Sequence, residues 1–311
     1  MSNDLDSLQH KFVNVNGIRM HYVTIESEVC DSSDCPLMIL LHGFPEFWYS
    51  WRHQIPFFAK RFRVVAPDMR GYGETEKPRE ISEYRIDKLV RDIIELIHSV
   101  GKEKAIIVGH DWGAIIGWSI AMIAPSMVEK LIIMNAPHPA IYQKNAFRNL
   151  PQMQKSWYIF FFLMQKAPEK VLSSNNFELL KHMFESSIKR KDKFTYDDIK
   201  NYISSWRNVK GEKDKGSNFD GISGGINYYR ANLNTEFWEN LGESIPFPKI
   251  KSPTLLIWGE DDMFLGKELA ENTKECIEAP FSMKFISNCG HWIQQEAPDE
   301  VNQVMSEFLN N

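Results

Sequence analysis

At 311 residues the chain has room for one large α/β domain, or one domain carrying an insertion, around an ample buried core. Its 36 Lys and Arg against 41 Asp and Glu leave a formal charge of -5 and an isoelectric point near 6.0. That balance argues against a nucleic-acid partner and against an anionic membrane surface.

The opening stretch Met1-Ser-Asn-Asp-Leu-Asp-Ser7 is polar and acidic, without the basic start and apolar core of a signal peptide. The aromatic run at 157–164 is too short to span a bilayer. Cys30 and Cys35 frame the polar loop Asp31-Ser-Ser-Asp34, across which they could approach each other. No histidine stands near them at metal-ligand spacing, so zinc is not expected. Together with Cys276 and Cys289 they are expected to be free thiols, in a cytoplasmic protein.

Residues 12–15 and 18–25 alternate in polarity about Asn16-Gly17, a two-residue hairpin signal. Residues 37–41 read as a strand that opens into His42-Gly-Phe-Pro-Glu-Phe-Trp-Tyr-Ser-Trp-Arg52. Residues 63–67 form the next and end in Asp68-Met-Arg-Gly-Tyr-Gly-Glu-Thr75. Ile86, Leu89, Val90, Ile93, Ile94 and Ile97 recur at helical spacing with charges between them, predicting an amphipathic helix. Residues 105–108, apolar and mostly β-branched, predict a fully buried strand, and 130–135 another. Strands alternating with helices imply crossover connections and a mostly parallel sheet flanked by helices.

Over 138–246 the pattern breaks into helical and irregular segments rich in aromatics, Lys and Asn. Within them the basic run 189–193 reads as a solvated helix face or loop, and Lys210-Gly-Glu-Lys-Asp-Lys-Gly216 as a mobile surface loop. The sheet resumes at 254–258 and 282–286. Val301, Val304, Met305, Phe308 and Leu309 predict a final amphipathic helix. The expected organisation is a core over 1–137, a helical cap over 138–246, and the returning core over 247–311.

Gly109-His110-Asp111-Trp112-Gly113, at the end of the strand beginning at 105, carries the small-x-nucleophile-x-small pattern of a strained strand-to-helix elbow. Gly109, Gly113 and Gly117 recur every fourth residue, so that helix and sheet can pack tightly. Where serine is usual stands Asp111. A carboxylate serves acyl transfer poorly but can displace a leaving group at saturated carbon, becoming an alkyl ester. Hydrolysis of that ester requires a histidine base and an oxyanion hole. Asp111 could otherwise be a mere helix N-cap, but the partners it would need follow in order.

Glu260, Asp261 and Asp262 are candidate acids, and His291, past a strand and behind Gly290, is the base. Nucleophile, acid, histidine is the chain order of the α/β-hydrolase fold. His42 and His110 adjoin motifs but read as structural. The strand before the cap, another place for the acid, ends in Asn135, which carries no charge. The backbone amides of Phe44 and Trp112 are the expected oxyanion donors.

With these residues assembled, the chain resembles the epoxide hydrolases of the α/β-hydrolase superfamily over nearly its whole length. The resemblance lies in His-Gly-Phe-Pro at 42–45, Asp-Met-Arg-Gly-Tyr-Gly at 68–73, Gly-His-Asp-Trp-Gly at 109–113 and Gly-His-Trp at 290–292. It implies two cap tyrosines that grip the epoxide oxygen. Tyr158, in the aromatic run before Pro168-Glu169, matches the first, and Tyr229 of Asn227-Tyr-Tyr-Arg230 the second, with Tyr228 and Tyr142 as alternatives. It also favours Asp262 among the acids. Phe44, Trp112, Tyr158 and Tyr229 then line an apolar site for a lipophilic epoxide, with no metal or organic cofactor, in a monomer or homodimer.

Haloalkane dehalogenases share the fold and the Asp-Trp pair of 111–112, but hold halide with an amide side chain where Phe44 stands. Fluoroacetate dehalogenases resemble the first hundred residues, yet Trp112 and Ile115 lack their arginines. A non-catalytic binding protein on this fold usually loses a triad member, and this chain keeps all three. A serine esterase is excluded by Asp111 itself.

Overall fold

The structure, a computed structural model, describes residues 7–25, 35–145, 150–207, 221–233 and 247–311. Outside these lie Cys30 and its loop, the stretch 210–216, and position 246 at the expected end of the cap.

Asn16 and Gly17 both adopt positive φ, 44° and 80°, the backbone a two-residue hairpin turn demands. The turn joins strands β1 (Gln9–Val15) and β2 (Ile18–Thr24) antiparallel, with Val15 opposite Ile18. The other strands are β3 (Leu37–Leu41), β4 (Arg63–Pro67), β5 (Ala105–His110), β6 (Val128–Met134), β7 (Thr254–Gly259) and β8 (Phe281–Ile286). They form one eight-stranded sheet in the order β1-β2-β4-β3-β5-β6-β7-β8, parallel from β4 onward. This is the α/β-hydrolase fold.

All six residues of β5 are buried because helices cover both faces of the sheet, so its sequence shows no polar alternation. Ile107 faces one apolar core with Leu89 and Trp118, while Ile106 and Val108 face the other with Phe58 and Met305. Helices α1 (Gln54–Phe58), α2 (Ile86–Ser99) and α3 (Trp112–Ile123), with the terminal helix Pro298–Asn310, supply those covers.

Between β6 and β7 the described residues form the helical cap. It comprises α4 (Pro139–Asn145), α5 (Leu150–Lys155), α6 (Trp157–Leu163), α7 (Ala167–Ser187, kinked at 174–177), α8 (Tyr196–Arg207) and α9 (Ser223–Asn232). The Arg230 guanidinium on α9 forks onto the Glu169 carboxylate on α7, fixing two cap helices together.

Two expectations need correction. Cys35 is disulfide-bonded; among the other described cysteines, Cys276 and Cys289 are free and buried. The reading of four free thiols therefore does not hold at Cys35, because composition and the absence of a signal segment say nothing of which thiols the fold brings together. The basic run 189–193 is more than a solvated face: Arg190 pairs with Glu300 and donates to the carbonyls of Ser287 and Asn288. It thus ties the cap to the loop preceding His291. Among the described residues, no helix is long and apolar enough to cross a membrane.

Candidate active site

The elbow between β5 and α3 puts Asp111 at φ 51°, ψ -119°, a conformation a side chain adopts only when its surroundings force it. The forcing groups are close. A Cβ on Gly113 would lie 2.2 Å from the Leu41 carbonyl oxygen, and one on Gly109 2.4 Å from that of Gly113. A Cβ on Gly43 would meet the Asp111 side chain at 2.5 Å. Gly117 is under less pressure, since its nearest neighbour would be a flexible Ile133 methyl at 3.3 Å.

The Phe44 amide donates to Asp111 Oδ1 at 2.8 Å, and the Trp112 amide also donates to this carboxylate. Its other oxygen, Oδ2, stands 3.8 Å from His291 Nε2. Burial raises the Asp111 carboxyl above the usual carboxylate value, although His291, His110 and the two amides oppose the shift.

On the far side of the imidazole, His291 Nδ1 meets Asp262 Oδ2 at 2.7 Å. Asp262 is buried and its Oδ1 accepts from the amides of Phe264 and Leu265 at 2.7 and 3.0 Å. Asp261 is exposed, so of three adjacent acids the fold turns Asp262 to the histidine. Burial pulls the His291 imidazole down, but Asp262 foremost and Asp111 behind it outweigh that and raise it to about 9. Asp262 moves below the usual carboxylate value: burial opposes this, and His291, Asn135 and the loop amides prevail.

Tyr158 and Tyr229 come together in the lining of a cavity that Asp111 also lines, their rings 6.1 Å apart and nearly perpendicular. Burial first, and then neighbouring tyrosines and Asp111, hold both hydroxyls well above 10, so they are neutral phenols. The Trp112 and Tyr229 rings meet edge-on, their centroids 5.1 Å apart. Tyr228 points elsewhere, donating to the Arg70 carbonyl at 2.9 Å. Tyr142 lines the cavity, with its hydroxyl bonded to Ser156.

Asp111, Tyr158 and Tyr229 are shared by two cavities. One, of about 300 Å³, is lined by residues such as Ile115, Met122, Tyr142, Ile159 and Leu265. The other, about 30 Å³, lies among Phe44, Phe162, Leu180, Phe184 and Trp292. Both are dominated by apolar side chains.

Sequence reading took His42 and His110 as structural, and their contacts agree. His42 Nε2 accepts the Met69 amide at 3.0 Å, and His110 bridges Glu46 at 2.7 Å to the His291 carbonyl at 2.8 Å. It missed two supporting groups. Buried Glu46 accepts from Gly43, Gln294 and Gln295 besides facing His110, and so joins the loop carrying Phe44 to the segment that follows His291. Asn135, at φ 44° beyond β6, donates to Asp262 Oδ2 at 2.7 Å and accepts the Gly259 amide at 3.1 Å. In the sequence it shows only as an uncharged residue where an acid could stand.

A family profile described as the alpha/beta hydrolase fold matches residues 36–298. The chain is 40% identical to Epoxide hydrolase 4 of Homo sapiens over 96% of its own length and 78% of that protein's. It is 38% identical to the AB hydrolase superfamily protein YfhM of Bacillus subtilis over 99% and 100%. A crystal structure of Bacillus megaterium epoxide hydrolase with an inhibitor superposes with a TM-score of 0.85 at 33% identity, covering 97% of this chain and all of that one.

Proposed function

This chain belongs to the epoxide hydrolases of the α/β-hydrolase family, hydrolases acting on ether bonds, and on that premise we propose how its own residues open an epoxide to a vicinal diol. The observation carrying the proposal is a carboxylate with one oxygen tied by the Phe44 backbone amide and the other turned to a buried His–Asp pair.

Asp111 Oδ2 attacks a ring carbon from the back while the carbon–oxygen bond breaks. The departing oxygen gains negative charge as it leaves and takes a proton from Tyr158 or Tyr229, the second hydroxyl remaining bonded to it. Phenols held neutral by burial suit this step, because they donate without drawing Asp111 into an ion pair. The product is an alkyl ester on Asp111.

Esterification removes the Asp111 charge, one of the groups that raise the imidazole, so His291 falls from about 9 toward the range of a useful base. Nε2 then takes a proton from water, whose oxygen adds to the Asp111 carboxyl carbon. Negative charge collects on Oδ1, where the Phe44 amide already stands, with the Trp112 amide beside the same carboxylate. Collapse expels the alkyl oxygen, which takes the water proton left on the added oxygen to complete the diol and restore the Asp111 carboxylate, and the imidazolium proton returns to the tyrosinate. Asp262 holds the tautomer and balances the imidazolium throughout.

The apolar lining favours lipophilic epoxides over charged ones. The halide reading is disfavoured because Phe44 offers no amide side chain to hold a halide, and the paired tyrosines in the cavity lining would have no purpose in that reaction. The test is diol formation and halide release side by side, from styrene oxide, a fatty-acid epoxide, 1-bromobutane and fluoroacetate. Diol lost in Asp111→Ala, with no halide from either enzyme, supports the proposal; halide without diol overturns it.

A further inference from the structure

The overall charge of the chain conceals an asymmetry. Residues 138–207 hold twelve Lys and Arg against six Asp and Glu, although the whole chain is at -5. The same region presents an apolar stripe to solvent: Leu150, Met153, Trp157 and Met164 are 72%, 39%, 57% and 54% exposed. Leu150 and Met153 lie one turn apart on α5, Trp157 opens α6 and Met164 follows its end, so exposed apolar groups run along the α5–α6 segment, roughly 20 Å long at the helical rise. Lys144 before the stripe in the sequence, and Lys166 and Lys170 after it, are exposed. The opposite side of α6 is buried, and Tyr158, Ile159 and Phe162 on it line the cavities that hold Asp111.

Exposed Trp, Leu and Met bordered by lysines is the composition of a helix that lies in a membrane interface. We propose that the α5–α6 face docks on an anionic lipid bilayer, its apolar stripe at the headgroup–acyl boundary and the basic cap against the lipid charges. A lipophilic epoxide dissolved in that bilayer then lies one helix away from Asp111. A second copy of this chain fits the face less well, since pairing two such caps would oppose two net-positive surfaces. The inference rests on the proposed epoxide chemistry for its purpose, but not for its test.

The test is co-sedimentation with vesicles of phosphatidylcholine alone or with about a third phosphatidylserine, using wild type and Leu150→Ser/Trp157→Ser. Wild type is expected on the anionic vesicles, released by salt, and the double variant is expected to bind about tenfold more weakly. Hydrolysis of water-soluble styrene oxide should be unchanged in the variant, which also reports that it folds. Turnover of a long-chain epoxide carried in the vesicles should slow. No binding to either vesicle, or equal binding by wild type and variant, would overturn the proposal. So would a wild-type dimer in light scattering that the variant dissolves, which would assign the stripe to a second copy. An enzyme inert on styrene oxide would instead strike the epoxide chemistry and leave the vesicle result readable.

Discussion

Asn135 Nδ2 and His291 Nδ1 meet on a single oxygen, Asp262 Oδ2, each at 2.7 Å. The asparagine side chain is itself held through its carbonyl by the Gly259 amide, so it orients the acid without adding charge. Asn135→Ala should therefore leave substrate binding nearly intact and slow ester hydrolysis. A charge-assisted hydrogen bond of this kind is worth about 1.5–3 kcal/mol, or about 10- to 100-fold in rate. Single-turnover kinetics that separate ester formation from hydrolysis will check this; an equal loss in both steps would point to general loosening of the site.

The two tyrosines are expected to act in the first step. Tyr158→Phe and Tyr229→Phe should each slow ester formation by about 10- to 1,000-fold, with the double variant losing nearly all turnover. The same changes should have little effect on hydrolysis of an ester already formed. Tyr228→Phe is the control, since its hydroxyl serves the Arg70 carbonyl, and it should tell mainly on stability.

Stability should depend on pH through the His291–Asp262 pair. His291 rises from 6.5 in the unfolded chain to about 9 in the fold, so its stabilising contribution is complete below 6.5 and is lost as pH climbs through 9. Asp262 lies below its usual value of 3.8, so its contribution is present above that pH and disappears as pH falls further. Thermal unfolding across pH 6.5 to 9 should show wild type losing on the order of 3 kcal/mol that His291→Gln does not lose. Parallel curves for the two proteins would contradict the assignment.

The elbow glycines differ in a testable way. Gly113→Ala forces a methyl group within 2.2 Å of a backbone oxygen and should cost roughly 3 kcal/mol or more, with activity falling as the elbow distorts. Gly117→Ala meets only movable side chains at 3.3 to 3.5 Å and should change stability by about 1 kcal/mol or less. Melting temperatures of the two variants decide whether the three-glycine spacing is one requirement or two.

What could be read from sequence was written in local pattern. The Asn16-Gly17 turn, the apolar run of β5 and the elbow about Asp111 each depend on residues a few positions apart, and β1, β2 and β5 lie within about three residues of the expected bounds. What stayed hidden depends on packing between distant segments. Glu46 gains its partners 64 and 248 residues away, at His110 and Gln294. Asp261 and Asp262 are indistinguishable by composition and are separated only by which of them the loop buries. Asn135 looked like an absence because its function lies in the amide it offers to Asp262, a contact across 127 residues.

The covalent ester on Asp111 is the centre of the account, and a single turnover in heavy-oxygen water tests it most directly. With enzyme in excess over epoxide, the oxygen entering the diol comes from Asp111 and the solvent oxygen replaces it in the carboxylate. The account predicts unlabelled diol and a heavy oxygen in the peptide containing Asp111, read by mass spectrometry. Label in the diol with an unlabelled peptide would mean that water attacks the ring directly, and Asp111 would then not be the nucleophile.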